Sequence, residues 1–316
     1  MTDVITIGSA TVDHFMMIDQ SFSSIKAGDK ILIKNAQTYS GGSASNAAAA
    51  LSMLGLQVKM LAKLGEDHDA EFIQQDMKKY HVENICRHRS EHHTDFSTII
   101  SSSKEKDRII YTFKEASRDL ETSDFRKHDL KASWLYIGSL MGRAFNVVGE
   151  ILRENTRSSI LFNPSLYLAH QGKKFLTPIL QKTNILVLNL EEAQAVLKTN
   201  PGKVEVLLQE LHQLGPEIVI ITNGDQKLYT LFNDTIYSLM PPKVKIVHTA
   251  GAGDAFTAGF LAGLIKKYSF EDALRLGQVN ALSVIQHVGC KNILLAEKEG
   301  KEWMRRFGIE VKREKI

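Results

Sequence analysis

Cysteine is scarce in this sequence: Cys86 and Cys290 are the only two among 316 residues. Two cysteines cannot form the network of bridges that stabilises small secreted proteins, so we expect reduced thiols. The first residues, MTDVITIGSATVDHF, also lack the basic segment and apolar run of a secretory signal. These absences predict a cytoplasmic protein.

Long apolar runs and an excess of one charge are missing as well. The longest apolar run, from Ala255 to Ile265, is well short of the roughly 20 residues that a membrane helix needs. The 39 basic and 36 acidic residues leave a net charge of only +3. The basic tail EWMRRFGIEVKREKI (302–316) mixes both signs and is predicted to be the solvated end of a helix. We therefore expect neither a membrane nor a nucleic acid as a partner.

Short apolar runs, rich in β-branched residues, alternate with helical patterns along the chain. The runs are VITIG (4–8), WLYIGSL (134–140), SILFNP (159–164), ILVLN (185–189) and EIVIITNG (217–224). Continuous apolar runs are typical of strands that are covered on both faces, and repeated strand–helix–strand units cross over in a right-handed sense. The sequence therefore predicts an α/β fold with a doubly wound, mostly parallel sheet flanked by helices, in one domain over residues 1–316.

Two regions interrupt this alternation with paired extended runs around polar turns and no helix between them. They predict a small accessory β-sheet built from about residues 14–40 and 94–116. Such a sheet would suit a lid over a pocket in the main domain. Its exposed edge could also pair with a second copy of the chain, so a homodimer through the lid is one expected assembly.

Asp254 follows a glycine-rich turn in the stretch HTAGAGDAF. Glycines let the backbone approach a ligand, and the first N–H groups of a helix can bind an anion such as phosphate. No Lys-Ser or Lys-Thr follows Gly251 and Gly253, and Phe256 replaces the third glycine of a dinucleotide fingerprint, so neither of those sites fits. Asp254 could instead accept a proton from a hydroxyl while the N–H groups neutralise a transferring phosphoryl group. The alternative is an aspartate that only caps a helix, and the turn alone does not decide between them.

A second glycine turn lies near the start of the chain, in TYSGGSASNAAAALSMLG. Gly41 and Gly42 leave room beside the backbone, and Asn46 offers both a donor and an acceptor to neighbouring hydroxyls. Residues of these types also cap helices for structural reasons alone.

Taken together, the two turns resemble the two signatures of the PfkB/ribokinase family of carbohydrate kinases, and the resemblance spans nearly the whole chain. The family's C-terminal signature reads Asp-Thr-x-Gly-Ala-Gly-Asp, and this sequence keeps Thr249, Gly251, Ala252, Gly253 and Asp254. The resemblance implies a ribokinase-like fold, Asp254 as the general base, and an anion hole made by the N–H groups from Ala250 to Gly253. It also implies that four residues bind the hydroxyls of a sugar or related acceptor: Asp13, Gly41, Gly42 and Asn46.

Two further motifs of the family imply ATP and Mg²⁺ as cofactors. NLEEA places Asn189 and Glu192 in the family's Asn-x-x-Glu spacing, which is associated with magnesium held through water near the phosphates. ITNGDQKLY places Thr222 and Gly224 in a pattern similar to the family's nucleotide-binding Thr-x-Gly, and Thr249 and Ala250 complete the nucleotide side. A capped helix and a simple turn would explain these two stretches equally well.

The sequence departs from the family pattern at His248, where an aspartate usually opens the C-terminal signature. A histidine can offer its backbone carbonyl but no carboxylate, so the sequence leaves open whether potassium activates this protein. Ser43 stands where the ribokinase subgroup has lysine, which makes ribose a less favoured acceptor.

Three hypotheses for the function follow. The first is an ATP-dependent phosphotransferase acting on a hydroxymethyl group of a sugar or polyol. The second is a nucleoside kinase, in which Phe15 or Phe96 would stack on a base. The third is a catalytically silent sugar sensor, suggested only by His248. The acceptor, the oligomeric state and the residue that contacts adenine are not determined by the sequence.

Overall fold

Strands and helices alternate along most of the chain in the computed structural model, which describes residues 2–105, 107–155, 157–199 and 202–316. The strands are β1 (Thr2–Ile7), β2 (Thr11–Ile18), β3 (Ile33–Gly41), β4 (Val58–Leu61), β5 (Glu83–Asn84), β6 (Phe96–Ser102), β7 (Asp107–Phe113), β8 (Ala132–Ile137), β9 (Ser159–Phe162), β10 (Ile185–Asn189), β11 (Ile218–Thr222), β12 (Leu228–Phe232), β13 (Thr235–Leu239) and β14 (Val311–Lys315). The helices are α1 (Ser43–Met53), α2 (His68–Lys79), α3 (Arg143–Glu154), α4 (Leu166–Ala169), α5 (Lys173–Leu180), α6 (Leu190–Leu197), α7 (Val204–His212), α8 (Ala252–Ile265), α9 (Phe270–Ile285) and α10 (Glu297–Phe307).

The larger sheet has ten strands in the order β14-β13-β12-β11-β10-β9-β8-β1-β4-β5. The seven strands from β11 to β5 pair in parallel, and β12, β13 and β14 add an antiparallel edge. All five apolar runs seen in the sequence are strands of the parallel part. The predicted fold class, a mostly parallel sheet flanked by helices, is therefore confirmed.

The parallel strands are buried on both faces because helices cover both. Val4 and Ile5, neighbours in β1, are each fully buried but belong to two different hydrophobic clusters. Successive side chains of a strand point to opposite faces, so each strand supplies residues to both cores. The cluster around Val4 includes α1, α2, α8 and α9, and the cluster around Ile5 includes α3, α5, α6 and α7.

A separate four-stranded sheet has the order β3-β2-β6-β7. Its cross-strand register places Asp13 beside Ser97 and Ser97 beside Thr112, so these three side chains share one face. The sheet agrees with the predicted accessory sheet, although β2 already begins at Thr11 and β3 extends to Gly41. Closure of this sheet as a lid, pairing of its edge in a homodimer, and the single domain over residues 1–316 all stay predictions.

The basic tail differs from the prediction of a solvated helix end. Helix α10 stops at Phe307, and Gly308 adopts a left-handed conformation with φ of 52° that ends the helix. The chain then forms β14, which pairs antiparallel with β13. Because β14 lies at the sheet edge and four of its five residues are exposed, its charged side chains are compatible with a strand.

Within the described ranges, no helix is both long and apolar enough to cross a membrane.

Candidate active site

The two glycine turns meet in space, although the chain separates them widely. Gly42 precedes α1 and Gly251 precedes α8, and the first turns of these two helices lie side by side. The side-chain amide of Asn46 donates a hydrogen bond to Oδ2 of Asp254 at 2.8 Å, across 208 positions of sequence. The fold thus brings together the two residues that the two motifs singled out.

A cleft of about 610 Å³ lies between the carboxyl ends of the parallel strands and the small sheet. Ten of the residues predicted for the site line it: Asp13, Gly42, Asn46, Asn189, Glu192, Thr222, Ala250, Gly251, Gly253 and Asp254. Four others, Gly41, Gly224, Thr249 and Ala252, are not among its lining residues. Gly41 still matters for the site, because a Cβ there would lie 1.9 Å from Oδ2 of Asp13. Gly224 adopts a φ of 58° in the turn after β11, as the simple-turn alternative expected.

Asp254 lies in the first turn of α8, and its carboxylate contacts side chains from other elements. The residue that caps the helix is Gly251, whereas Asp254 accepts from Asn46 and, at 3.5 Å, from the hydroxyl of Tyr136. Burial raises the pKa of Asp254 to about 6, against the hydrogen bond from Asn46 and the charge of Lys291, which both lower it. A carboxylate with this pKa is ionised at neutral pH and is more basic than an exposed aspartate.

The turn before α8 offers fewer anion-binding N–H groups than the sequence predicted. The N–H of Ala250 donates to Nδ1 of His248 at 3.1 Å, and the N–H of Ala252 donates to the carbonyl of Thr249 at 3.4 Å, so in this structure neither is free for a phosphate. In the described chain, the N–H groups of Gly251 and Gly253 have no protein acceptor. Gly251 has a φ of 80°, and a Cβ on it would lie 2.7 Å from Cβ of Cys290. The turn therefore needs glycine here for both its conformation and its packing.

His248 contributes its ring to this turn, which the sequence analysis did not anticipate. Since Nδ1 accepts the N–H of Ala250, the proton of the neutral ring is on Nε2. Burial lowers the pKa of His248, and the charge of Arg108 lowers it further, which favours this neutral form. Phe15 of the small sheet packs edge-on against the ring, with 4.7 Å between centroids. His248 thus connects the small sheet to the turn.

Asn189 and Glu192 form a capping box at the start of α6 and also line the cleft. The Asn189 side chain accepts from the Glu192 N–H at 2.8 Å, and the Glu192 carboxylate accepts from the Asn189 N–H at 2.9 Å. Burial raises the pKa of Glu192 to about 7. In the part of the chain that the structure describes, no three His, Cys, Asp or Glu side chains are grouped to bind a metal ion directly. This donor set fits a magnesium ion that keeps water and phosphate ligands, rather than one enclosed by protein.

The chain matches the family described as pfkB family carbohydrate kinase over residues 1–297. This chain belongs to that family. The resemblance drawn from the two glycine turns is therefore confirmed, and with it the assignment of the protein as an ATP-dependent kinase.

Relatives within the pfkB family have diverse names. An ATP-dependent 6-phosphofructokinase of Thermoanaerobacterium thermosaccharolyticum is 25% identical over 299 residues, covering 91% of this chain and 89% of the relative. An adenosine kinase of Saccharomyces cerevisiae is 28% identical over 268 residues, covering 79% of this chain and 78% of the relative. Among solved structures, the adenosine kinase of Sinorhizobium meliloti has a TM-score of 0.84 at 21% identity, covering 96% of this chain and 99% of that chain. The Arabidopsis thaliana ribokinase complexed with ribose and ATP has a TM-score of 0.81 at 19% identity, with 96% and 99% covered. At these identities, the structural matches establish the fold.

Sequence reasoning missed several side chains that surround the family's two turns. Ser97 and Thr112 line the cleft from the small sheet, and Tyr136 reaches Asp254 from β8. Lys291 is buried behind the turns, with 3% of its side chain exposed. Only the register of the small sheet could have suggested these two residues, because Ser97 lies opposite Asp13 and Thr112 lies opposite Ser97. A single lysine in GCKN carries no pattern that predicts its burial.

Proposed function

We propose that this kinase transfers the γ-phosphoryl group of ATP to a hydroxymethyl group of a sugar or related polyol, with Asp254 as the general base. The observation that carries the proposal is the position of the Asp254 carboxylate. It faces the cleft, accepts a hydrogen bond from Asn46, and lies beside the N–H groups of Gly251 and Gly253, which have no acceptor among the described residues. A base and an anion-binding backbone thus occupy one turn of helix, which is what phosphoryl transfer to an alcohol requires.

The acceptor would bind on the side of the small sheet, against a wall of hydroxyl and carboxylate groups. Asp13 takes one hydrogen bond from Thr11 at 3.0 Å, and its row continues through Ser97 and Thr112. Oδ1 of Asn46 is buried and has no hydrogen-bond partner in the described structure. A buried acceptor without a partner is costly, so a substrate hydroxyl that reached this atom as the site closed around it would stabilise the complex.

ATP would lie along the carboxyl ends of β10 and β11, with its phosphates at the turn before α8. Thr222 and Ala250 line this side of the cleft. Asn189 and Glu192 would hold Mg²⁺ through water molecules. When bound, the ion would offset negative charge on the phosphates. Asp254 would receive the hydroxyl proton, while Gly251 and Gly253 would donate to the transferred group.

The nucleoside alternative finds less support in the cleft. Phe15 and Phe96, the rings expected to stack on a base, do not line it. Phe15 is buried against His248, and Phe96 stacks on Phe113 with 4.9 Å between centroids. The two rings on which the nucleoside hypothesis depends are therefore not placed to stack on a base in this cleft.

A screen for ADP release tests the proposal, with sugars, polyols, keto acids and nucleosides as acceptors and Asp254→Asn as the blank. We expect turnover with at least one polyhydroxylated acceptor, and a loss of about 100- to 10,000-fold in the variant. Turnover that survives in the variant would contradict the base assignment. Tight sugar binding by calorimetry without any phosphorylated product would instead support the sensor hypothesis. Cytoplasmic localisation and dimerisation through the lid stay predictions, separate from this test.

A further inference from the structure

A buried lysine links three elements around the acceptor side of the cleft. The ammonium of Lys291, in the segment after α9, donates to Oγ of Ser40 at 2.6 Å and to Oγ of Ser45 at 3.3 Å, and lies 3.5 Å from Oδ2 of Asp76. These partners are on β3, α1 and α2. The hydroxyl of Tyr80 also donates to the backbone carbonyl of Lys291 at 3.1 Å. Both ends of this lysine are therefore fixed.

The residue before it, Cys290, lies between the two glycine turns. Its Sγ is 3.7 Å from Oδ2 of Asp13, and Gly251 packs so closely that a Cβ would lie 2.8 Å from the Cys290 carbonyl oxygen. Ser40 and Ser45 flank Gly41 and Gly42, the acceptor-side turn. Fixing Lys291 therefore fixes the distance between the acceptor-side turn and the phosphate-side turn that begins at Gly251.

The charge of Lys291 reaches the proposed base as well as these hydroxyls. Burial raises the pKa of Asp76, but the charge of Lys291 and the hydrogen bonds from Ser40 and Lys79 outweigh it and hold that pKa below its usual value. Burial lowers the pKa of Lys291, and the neighbouring carboxylate of Asp76 opposes that shift. The 3.5 Å approach of the ammonium to Asp76 and its two hydroxyl partners favour the ion pair. Lys291 also lowers the pKa of Asp254, whose other titratable neighbours are Asp13, Tyr136, Glu192 and Cys290. Those four neighbours are all acids. The ammonium of Lys291 is thus the positive charge that opposes their effect on the pKa of Asp254.

We propose that Lys291 is a positioning residue of this active site: its ammonium, held by Ser40, Ser45 and Asp76, keeps the acceptor-side turn against the phosphate-side turn. The inference rests on the proposed function, because it assigns a role relative to the proposed acceptor and phosphate sites. Lys291 itself reaches no substrate atom, since it is buried and does not line the cleft.

The test compares Lys291→Met, Lys291→Arg and Ser40→Ala with a matched control, Lys63→Met. Lys63 forms another buried lysine–aspartate pair, 2.5 Å from Oδ1 of Asp124, and does not line the cleft. Each variant is assayed with the acceptor that the wild type phosphorylates best. The measurements are kcat and KM for that acceptor, and kcat/KM across about pH 5 to 9, where the acid limb reports the base of the free enzyme. Thermal melting in each case shows that the variant is folded.

We expect Lys291→Met to raise the acceptor KM at least tenfold and to move the acid limb upward by roughly one pH unit, because a favourable neighbouring charge is lost. Lys291→Arg keeps the charge, so its acid limb should match the wild type even if its KM rises. Ser40→Ala should raise KM without moving the limb. Lys63→Met should lower the melting temperature and leave both kinetic readouts unchanged.

An acid limb at the wild-type position in Lys291→Met would overturn the electrostatic role, and unchanged KM values in Lys291→Met and Ser40→Ala would overturn the positioning role. If Lys291→Met does not fold, the acceptor KM of Ser40→Ala tests the positioning role in its place. An acid limb that shifts in Lys291→Arg, which keeps the positive charge, would then contradict the electrostatic role. A wild type that phosphorylates no acceptor would instead refute the proposed function, which separates the two failures.

Discussion

Replacing Asp254 with asparagine should remove activity and at the same time stabilise the folded protein. The carboxylate has a pKa of about 6 in the structure, against a usual 3.8, chiefly because burial disfavours its charged form. Between these two pH values the folded chain binds more protons than the unfolded chain, so the free energy of unfolding falls as pH rises through this window. Above about pH 6 the destabilisation is complete, and asparagine, which carries no charge, avoids it.

The magnitude follows from the difference of about 2.2 pKa units. At about 1.36 kcal/mol per unit, the ionised carboxylate costs about 3 kcal/mol at pH 8, and about half of that at pH 5. This is an upper value because the carboxylate opens onto a solvated cleft, where water screens part of the cost. Asparagine has nearly the same size and can still accept from Asn46 through its amide oxygen. The gain should therefore appear as a net increase in stability.

Urea unfolding of the wild type and Asp254→Asn at pH 5 and pH 8 measures this difference. We expect the variant to be the more stable at pH 8, with a gap that shrinks toward pH 5. Asp225→Asn, at an exposed carboxylate, is the control, and it should change the free energy of unfolding by less than about 0.5 kcal/mol at either pH. A variant less stable than the wild type at pH 8, or a gap that does not depend on pH, would refute the reasoning.

Three further predictions concern selectivity, metal and packing. Of the described residues that line the cleft, Lys114 is the only lysine or arginine. Lys114→Met should therefore raise the KM of acceptors bearing a carboxylate or phosphate about tenfold or more and leave the KM of neutral polyols unchanged. Equal effects on both kinds of acceptor in steady-state assays would contradict this role. Glu192→Gln should raise the Mg²⁺ concentration needed for half-maximal rate at least severalfold, measured at saturating ATP, and an unchanged requirement would place the ion elsewhere. Gly259→Ala should lower the free energy of unfolding by about 1 to 3 kcal/mol in urea, because its Cβ would lie 2.8 Å from Cα of Gly277. Gly149→Ala, in a helix with nothing within 4 Å of the new Cβ, should instead gain up to about 1 kcal/mol, and the reasoning fails if the two changes behave alike.

The sequence predicted the central strands and the paired turns because those features are local. Five apolar runs mark strands buried on both faces, and each glycine turn stands beside the polar residue that it presents, Asn46 or Asp254. The edge strand β14 was missed because its charged residues, VKREK, lack any apolar alternation and resemble a solvated helix end. Here tertiary pairing with β13 decides the structure, and no local pattern reports it.

The surroundings of the site were harder to predict, since they depend on contacts between distant parts of the chain. The role of the His248 ring depends on a turn that brings Nδ1 to the Ala250 N–H. The burial of Lys291 depends on partner side chains from three other elements. Ser40 and Asp76 are two of these partners. Polar residues of this kind are identified only when their partners are known, because burial of a charge is tolerated only where it is paired.

The helices that carry the two turns also explain how the fold tolerates a base that destabilises it. In α1, the four residues from Ala47 to Ala50 are fully buried, and their small side chains let this helix lie close enough to α8 for Asn46 to reach Asp254. In α8, Gly259 and Gly263 let α9 approach equally closely, since a Cβ on Gly263 would lie 2.7 Å from Cα of Ala273. Helices that pack this closely have little freedom to move. They therefore fix the position of the Asp254 carboxylate without contacts from long side chains. The packing of these helices thus holds Asp254 in place although its ionised carboxylate destabilises the fold. We therefore expect Asp254→Asn to stabilise the folded protein rather than to loosen it.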